Sequence, residues 1–345
     1  MKFNQLVAVI LIFLFVGVTA CSNPSTSATP SDAPDLGRVP AGESQDIPDD
    51  LIDIELMLED FESEIILFTD AAGREVELPE SIERVIPASP LAQVVLYTLC
   101  PDKIAGWAVE LTNAQIECFG DNYASLPVFG DSHSDVFDLK SVMEADAQVI
   151  IDVGELTDTT KEDMEDIQEK TGVPTIFIQM DLSSMAEAYT LLGEITEETE
   201  QSKVIADYIR ETMAYAKSKS AAIPQNERVK IYSGGAKEFT ERNADLISLA
   251  GAVSVPDSNK SAGGDLSAVS AEQLMLWQPT APYNWMGDPR SVNRIIGIKW
   301  LGNLVYPDVF DCDMIKETQI FYEIFYHYDI SEDSIRELLA PSIKK

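Results

Sequence analysis

Asp138-Leu139-Lys140-Ser141-Val142-Met143-Glu144-Ala145-Asp146-Ala147-Gln148-Val149-Ile150-Ile151-Asp152 is the stretch that decides the fold. Its first half, residues 138–145, has the pattern of a helix, and Val149-Ile150-Ile151-Asp152 is a short apolar run of strand length. Towards the C-terminus, residues 159–170 carry the Glu/Lys spacing of a helix, and Thr175-Ile176-Phe177-Ile178 supplies another strand. Towards the N-terminus, Arg84-Val85-Ile86-Pro87 precedes a helix from about Leu91 to Leu99. Residues 103–107 and 127–130 look like further strands. Short apolar strands alternating with helices predict a parallel sheet covered on both faces.

Beyond this block the pattern changes twice. Residues 183–222 hold no strand signal, while Val204, Ile205, Tyr208, Ile209 and Met213 fall on one face of a long helix. After Pro224 the alternation resumes: a strand over 229–232, helices over 245–250 and 271–277, and a strand over 281–285. Upstream, Ile65-Ile66-Leu67-Phe68 and Arg74-Glu75-Val76-Glu77-Leu78 flank Asp70-Ala71-Ala72-Gly73, which predicts a hairpin. The expected fold class is α/β: two α/β lobes with parallel-type sheets, joined by a long helix.

The first residues carry an address. Lys2 precedes an almost unbroken apolar run from Leu6 to Gly17, and Val18-Thr19-Ala20-Cys21 closes it with small residues. A secretory signal has this form, and the run is shorter than the roughly 20 apolar residues of a membrane-spanning helix. The pattern resembles a lipobox, so Cys21 is the expected lipidation site and the protein is placed outside the cytoplasm, anchored to the cell membrane. The expected organisation is a signal peptide at 1–20, a lipid-anchored flexible spacer at 21–48 and an N-terminal lobe at 49–182, which opens with an acidic amphipathic helix on Leu51, Ile54, Leu58 and Phe61. A connecting helix at 183–222 and a C-terminal lobe at 223–345 follow. The 24 Lys and Arg stand against 59 Asp and Glu, a net charge of -35 that repels phosphate backbones and argues against nucleic acid. Cys100, Cys118 and Cys312 form no CxxC pair; buried thiols are favoured over a single disulfide.

Several segments, in order, resemble the substrate-binding proteins of ABC importers for iron-siderophores, haem and cobalamin (periplasmic-binding-protein class III). They are Thr69-Asp70-Ala71-Ala72-Gly73-Arg74 through Glu83-Arg84-Val85-Ile86-Pro87-Ala88-Ser89-Pro90, the 138–151 block, Leu246-Ile247-Ser248-Leu249-Ala250-Gly251-Ala252, and Val269-Ser270-Ala271-Glu272-Gln273-Leu274 with Trp277-Gln278-Pro279. The resemblance covers roughly residues 65–340. It implies two lobes on a rigid helix with a shallow ligand cleft between them, a metal-chelate ligand (siderophore, corrinoid or haem), an ABC permease as partner, and a monomeric receptor without cofactor or catalysis. Strand-end loops are where such sheets present ligand contacts. In the first lobe these loops carry Ser89, Trp107, Asp131, Gly154 and Glu155, and in the second Ser233, Gly234 and Trp285. The two tryptophans either stack on a planar ligand or pack the core. Arg290 and Arg294 either meet an anionic complex or form surface ion pairs. The resemblance also implies permease docking through one acidic residue at a helix start in each lobe. Glu272 matches in the second lobe, but the first-lobe position is Lys140, leaving Asp138 or Glu144 as substitutes.

Other functions are poorly served. Asp131-Ser132-His133-Ser134-Asp135 contains a Ser, a His and an Asp, yet near neighbours in sequence rarely converge as a triad. Two histidines, His133 and His327, are too few for a zinc or manganese site of ordinary composition. A surface sensor or adhesion module that kept the fold without a permease is the alternative of another class.

Overall fold

The hairpin is present: Ile65–Thr69 (β1) and Glu75–Pro79 (β2) pair antiparallel, Ile65 opposite Pro79 and Thr69 opposite Glu75. The computed structural model describes residues 65–256, 268–286 and 291–343. The expected signal peptide, Cys21, spacer and acidic helix lie outside the described residues, as does Arg290. Among the described residues no helix is long and apolar enough to cross a membrane.

The hairpin is pinned to the first sheet by its turn. Asp70 and Arg74 are both buried and paired at 3.2 Å, and the guanidinium also donates to the Thr175 carbonyl and to Gln168 Oε1, each at 2.8 Å. The amide of Ala71 donates to the Phe177 carbonyl at 3.0 Å, so the turn covers an otherwise open sheet edge.

That sheet contains Val85–Pro87 (β3), then Val149–Gly154 (β4) and Thr175–Gln179 (β5), in the order β3-β4-β5 and parallel throughout. Between β3 and β4 run Pro90–Leu99 (α1), Asn113–Phe119 (α2), Asp121–Ala124 (α3) and Leu139–Glu144 (α4); Thr160–Thr171 (α5) links β4 to β5. Strand alternation sends Val85, Val149, Ile151 and Ile176 into the main core with α1. It sends Ile86, Ile150 and Phe177 to a second cluster closed by Val142 of α4 and by Met164 and Ile167 of α5. Both faces are therefore covered, as the apolar runs predicted. The strands expected at 103–107 and 127–130 are reduced to single bridges, Val85 with Ile104 and Trp107 with Val128.

The segment expected as one helix over 183–222 is two. Met185–Ile195 (α6) packs against Thr199–Ala221 (α7), and Glu197 turns the chain between them at φ 58°. Only α7, 23 residues and about 34 Å long, leads towards the second lobe. There Lys230–Tyr232 (β6), Val253–Val255 (β7) and Ala268–Ser270 (β8) form a second parallel sheet, with β6 in the middle. Lys237–Arg242 (α8) and Ala244–Leu249 (α9) connect β6 to β7, and Ala271–Trp277 (α10) follows β8. The strand expected over 281–285 does not form; the segment bends instead, and Pro282 has no amide hydrogen to give a ladder.

Three helices complete the chain: Arg294–Val305 (α11), Met314–Tyr326 (α12) and Glu332–Ile343 (α13). The sequence spacing of Ile320/Phe321 and Ile324/Phe325 predicts a helical core stripe, and that stripe is buried, with Phe321 and Phe325 at 0 % exposure. α12 touches α1, α7, α11 and α13, so a helix late in the chain also packs on the first lobe. Cys100 is buried, Cys118 and Cys312 are half-buried, and all three are free thiols.

Candidate inter-lobe binding cleft

Ser89 caps α1, accepting the Ala92 amide at 3.3 Å, while its hydroxyl donates to Asp152 Oδ1 at 2.5 Å. Asp152 sits near the end of β4 with 2 % exposure, and its other oxygen meets His133 Nε2 at 2.8 Å. The sequence offers Ser89 as a strand-end loop residue and His133 as part of a Ser-His-Asp run, and gives Asp152 no role beyond the end of a strand. The fold joins them, but the carboxylate lies between hydroxyl and imidazole. No base contacts the serine, so the arrangement lacks the order a nucleophilic triad requires. The hydrogen bond to Asp152 is the main reason the His133 pKa is raised, and burial opposes it. Asp131 turns its carboxylate back to accept the His133 amide at 3.0 Å. Gly154 is the last residue of β4, and Glu155, which follows it, is exposed.

In the second lobe Ser233 and Gly234 follow the central strand β6, the point at which the chain leaves first for β7 and then for β8. Ligands of open parallel sheets bind at such points. Here the place is taken from within: Glu272 Oε1 accepts the Ala236 amide at 3.2 Å, and a Cβ on Gly234, which has φ +47°, would come within 2.5 Å of that oxygen. A hydrogen bond from its own backbone amide, with smaller contributions from the Ser270 hydroxyl and the Gly235 and Ala236 amides, holds the exposed Glu272 carboxyl below the usual range. The expected ligand loop and the expected docking acid are thus one contact.

Both tryptophans belong to the core. Trp107 is 1 % exposed with its indole N–H donating to the Tyr123 carbonyl at 2.8 Å, and Trp285 is 0 % exposed. The stacking alternative is overturned by burial. Arg294 is also withdrawn: it pairs with Asp245 at 2.7 Å and donates to the Arg242 carbonyl at 3.1 Å.

The cleft is built by the residues just beyond those tryptophans. From the first lobe come Pro90, at the start of α1, and the loop bearing Val109, Glu110 and Thr112, with Gln115 behind it. Gln93 fixes this loop, its side-chain carbonyl accepting the Val109 amide at 2.9 Å, and Thr112 and Gln115 close a reciprocal cap on α2. From the second lobe come Thr280, Pro282, Tyr283 and Asn284. The Tyr283 carbonyl takes the Asn293 side-chain amide at 2.9 Å, and its ring stacks on Tyr326 with centroids 6.4 Å apart. Phe119 stacks on Tyr326 at 5.9 Å and Tyr97 on Phe119 at 3.8 Å, so an aromatic column runs between the lobes beside the cleft. The enclosed volume is about 270 Å³. A larger hollow of about 680 Å³ lies on one face of α12 and the turn after it, where no second element converges on a ligand. The sequence signal that could have found the cleft residues is modest: polar groups two or three positions after Trp107, or one or two before Trp285, at a strand-end loop.

Protein-family models and curated protein sequences yield no match to the chain. Solved structures do. An ABC transporter solute-binding protein from Sulfurospirillum deleyianum is 22 % identical at a TM-score of 0.65, over 81 % of this chain and 100 % of its own. A periplasmic solute-binding protein from Veillonella parvula is 19 % identical at a TM-score of 0.62, over 81 % of this chain and 98 % of its own. The molybdate-binding periplasmic protein MolA from Haemophilus influenzae is 14 % identical at a TM-score of 0.57, over 78 % of this chain and 99 % of its own. Two parallel sheets, one long connecting helix and a cleft lined from both sides give this chain the fold of the ABC-transporter solute-binding proteins of class III.

Proposed function

We propose that the chain is a lipid-anchored receptor outside the cytoplasm that captures an iron-siderophore-type chelate between its lobes and delivers it to an ABC permease. The observation that carries the proposal is the cleft of about 270 Å³, lined by strand-end loops of both lobes in a fold shared with solute-binding proteins. A chelate needs no protein ligands for its metal, which suits a chain whose described residues hold no His, Cys, Asp and Glu group able to bind one. The cleft volume of about 270 Å³ falls just below the roughly 300–1,000 Å³ of ordinary ligand pockets, which disfavours a corrinoid with its nucleotide tail. Docking falls to Glu272 in the second lobe. In the first it falls to Asp138, which is exposed at the start of α4, because Glu144 is paired with Lys140 at 3.7 Å. The lipid on Cys21 and the spacer would keep this docking face near the permease and raise its effective concentration.

Quenching of tryptophan and tyrosine fluorescence, with ferric siderophores, haem, a corrinoid and molybdate as titrants, tests the proposal. Saturable quenching by a ferric siderophore is the expected result. Binding of none of them, or of molybdate alone, overturns it.

A further inference from the structure

We infer that the cleft selects by charge, taking ferric chelates that are neutral or cationic and rejecting anionic ones, with Glu110 as the selecting residue. The inference rests on the function proposed above. Among the described residues lining the cleft, Glu110 is the only charged one; the rest are hydroxyl, amide, proline, valine and tyrosine groups. Glu110 is exposed and lines the cleft, and among the described residues its carboxylate has no salt-bridge partner. Of the two arginines read as candidates for an anionic ligand, Arg294, the one among the described residues, is committed to Asp245 and the Arg242 carbonyl. The whole chain carries a net charge of -35, so the far field has the same sign as the local one.

Elementary charge accounting then separates the chelate classes. Three doubly charged catecholates leave ferric iron in a trianion. Three singly charged hydroxamates leave it neutral, and a pendant ammonium makes that complex cationic. Entry of a trianion beside an uncompensated carboxylate is opposed at every distance within the Debye length, whereas a pendant ammonium is attracted. Tyr283 and Asn284 on the facing wall offer aromatic and amide contacts suited to a neutral complex.

The test compares a ferric tris-hydroxamate bearing a free amine, a neutral ferric tris-hydroxamate and a ferric tris-catecholate on the full chain, at low and at high salt, with Glu110→Gln alongside. The two hydroxamates are expected to bind at least about tenfold more tightly than the catecholate. That preference should shrink in high salt and in Glu110→Gln, whose urea midpoint should match the parent's. Equal or tighter binding of the catecholate overturns the inference while leaving the receptor proposal standing. So does a preference that Glu110→Gln leaves intact. If no ferric chelate binds, the receptor proposal fails and the charge selection falls with it.

Discussion

Arg74 shows how much one side chain can carry. It is buried beside Asp70 and also satisfies the Thr175 carbonyl and Gln168, so the hairpin turn, β5 and α5 meet on one guanidinium. Removing it strands a buried carboxylate. Arg74→Ala is expected to cost about 3–5 kcal/mol, measured as a lowered urea midpoint. His133 makes a smaller and pH-dependent contribution. Its pKa is raised chiefly by the bond to Asp152, with Asp131 and Asp163 adding to it and burial opposing. A raised folded-state pKa means stabilisation that is complete below the unfolded-state value, about 6.5, and lost as pH rises through the folded value. Stability should therefore fall as pH rises above about 6.5 in the parent and fall less in His133→Gln, as followed by urea unfolding across a pH series. The sequence showed His133 and Ser89 but not their meeting at Asp152, because Asp152 lies 63 residues from Ser89 and 19 from His133 and only the fold sets their register.

At the scale of elements, local sequence signals mark strands and helices where apolar spacing is strong and fail where geometry is decided elsewhere. The break between α6 and α7 carries no Gly or Pro; Glu197 adopts the left-handed region because packing of the two helices turns the chain there. The absent strand at 281–285 was legible in Pro282, which denies a ladder one donor. Gly130 positions the loop carrying His133: it has φ +92°, and a Cβ there would meet the Val136 carbonyl oxygen at 2.3 Å. Backbone cannot yield as a flexible side chain can. Gly130→Ala should thus cost at least about 1–3 kcal/mol and release the Asp152 contact, visible as a His133 proton resonance titrating nearer the unperturbed value.

For the whole molecule the question is how two lobes are held at a fixed spacing. α7 is one connection, and α12 is another, packing on α6 through Phe325 against Tyr189 and on the first lobe through the Tyr97 hydroxyl, which donates to the Tyr326 carbonyl at 3.4 Å. Gln201 of α7 donates to both the Thr98 and Ile324 carbonyls, tying the two connections together. Phe325 is fully buried in this junction, so Phe325→Ala should cost about 3–5 kcal/mol in thermal or urea unfolding. With both connections intact, cargo should leave the small-angle scattering radius unchanged; a large change would show that the aromatic column slides. Glu272→Arg is expected to abolish uptake in cells while leaving chelate affinity at the parent value, and transport that survives would remove Glu272 from the docking face.

The sequence by itself determined the α/β class, the covered parallel sheet, the aromatic core stripe of α12 and the hairpin, because each depends on apolar periodicity along a short stretch. It also drew attention to the loops at Trp107 and Trp285, which border the cleft. Only the tertiary structure decided which side chains in those loops face the cleft. An indole has far more apolar surface to bury than a carboxylate or an amide, so at both lobes the tryptophan turned inward and left Glu110, Tyr283 and Asn284 at the opening.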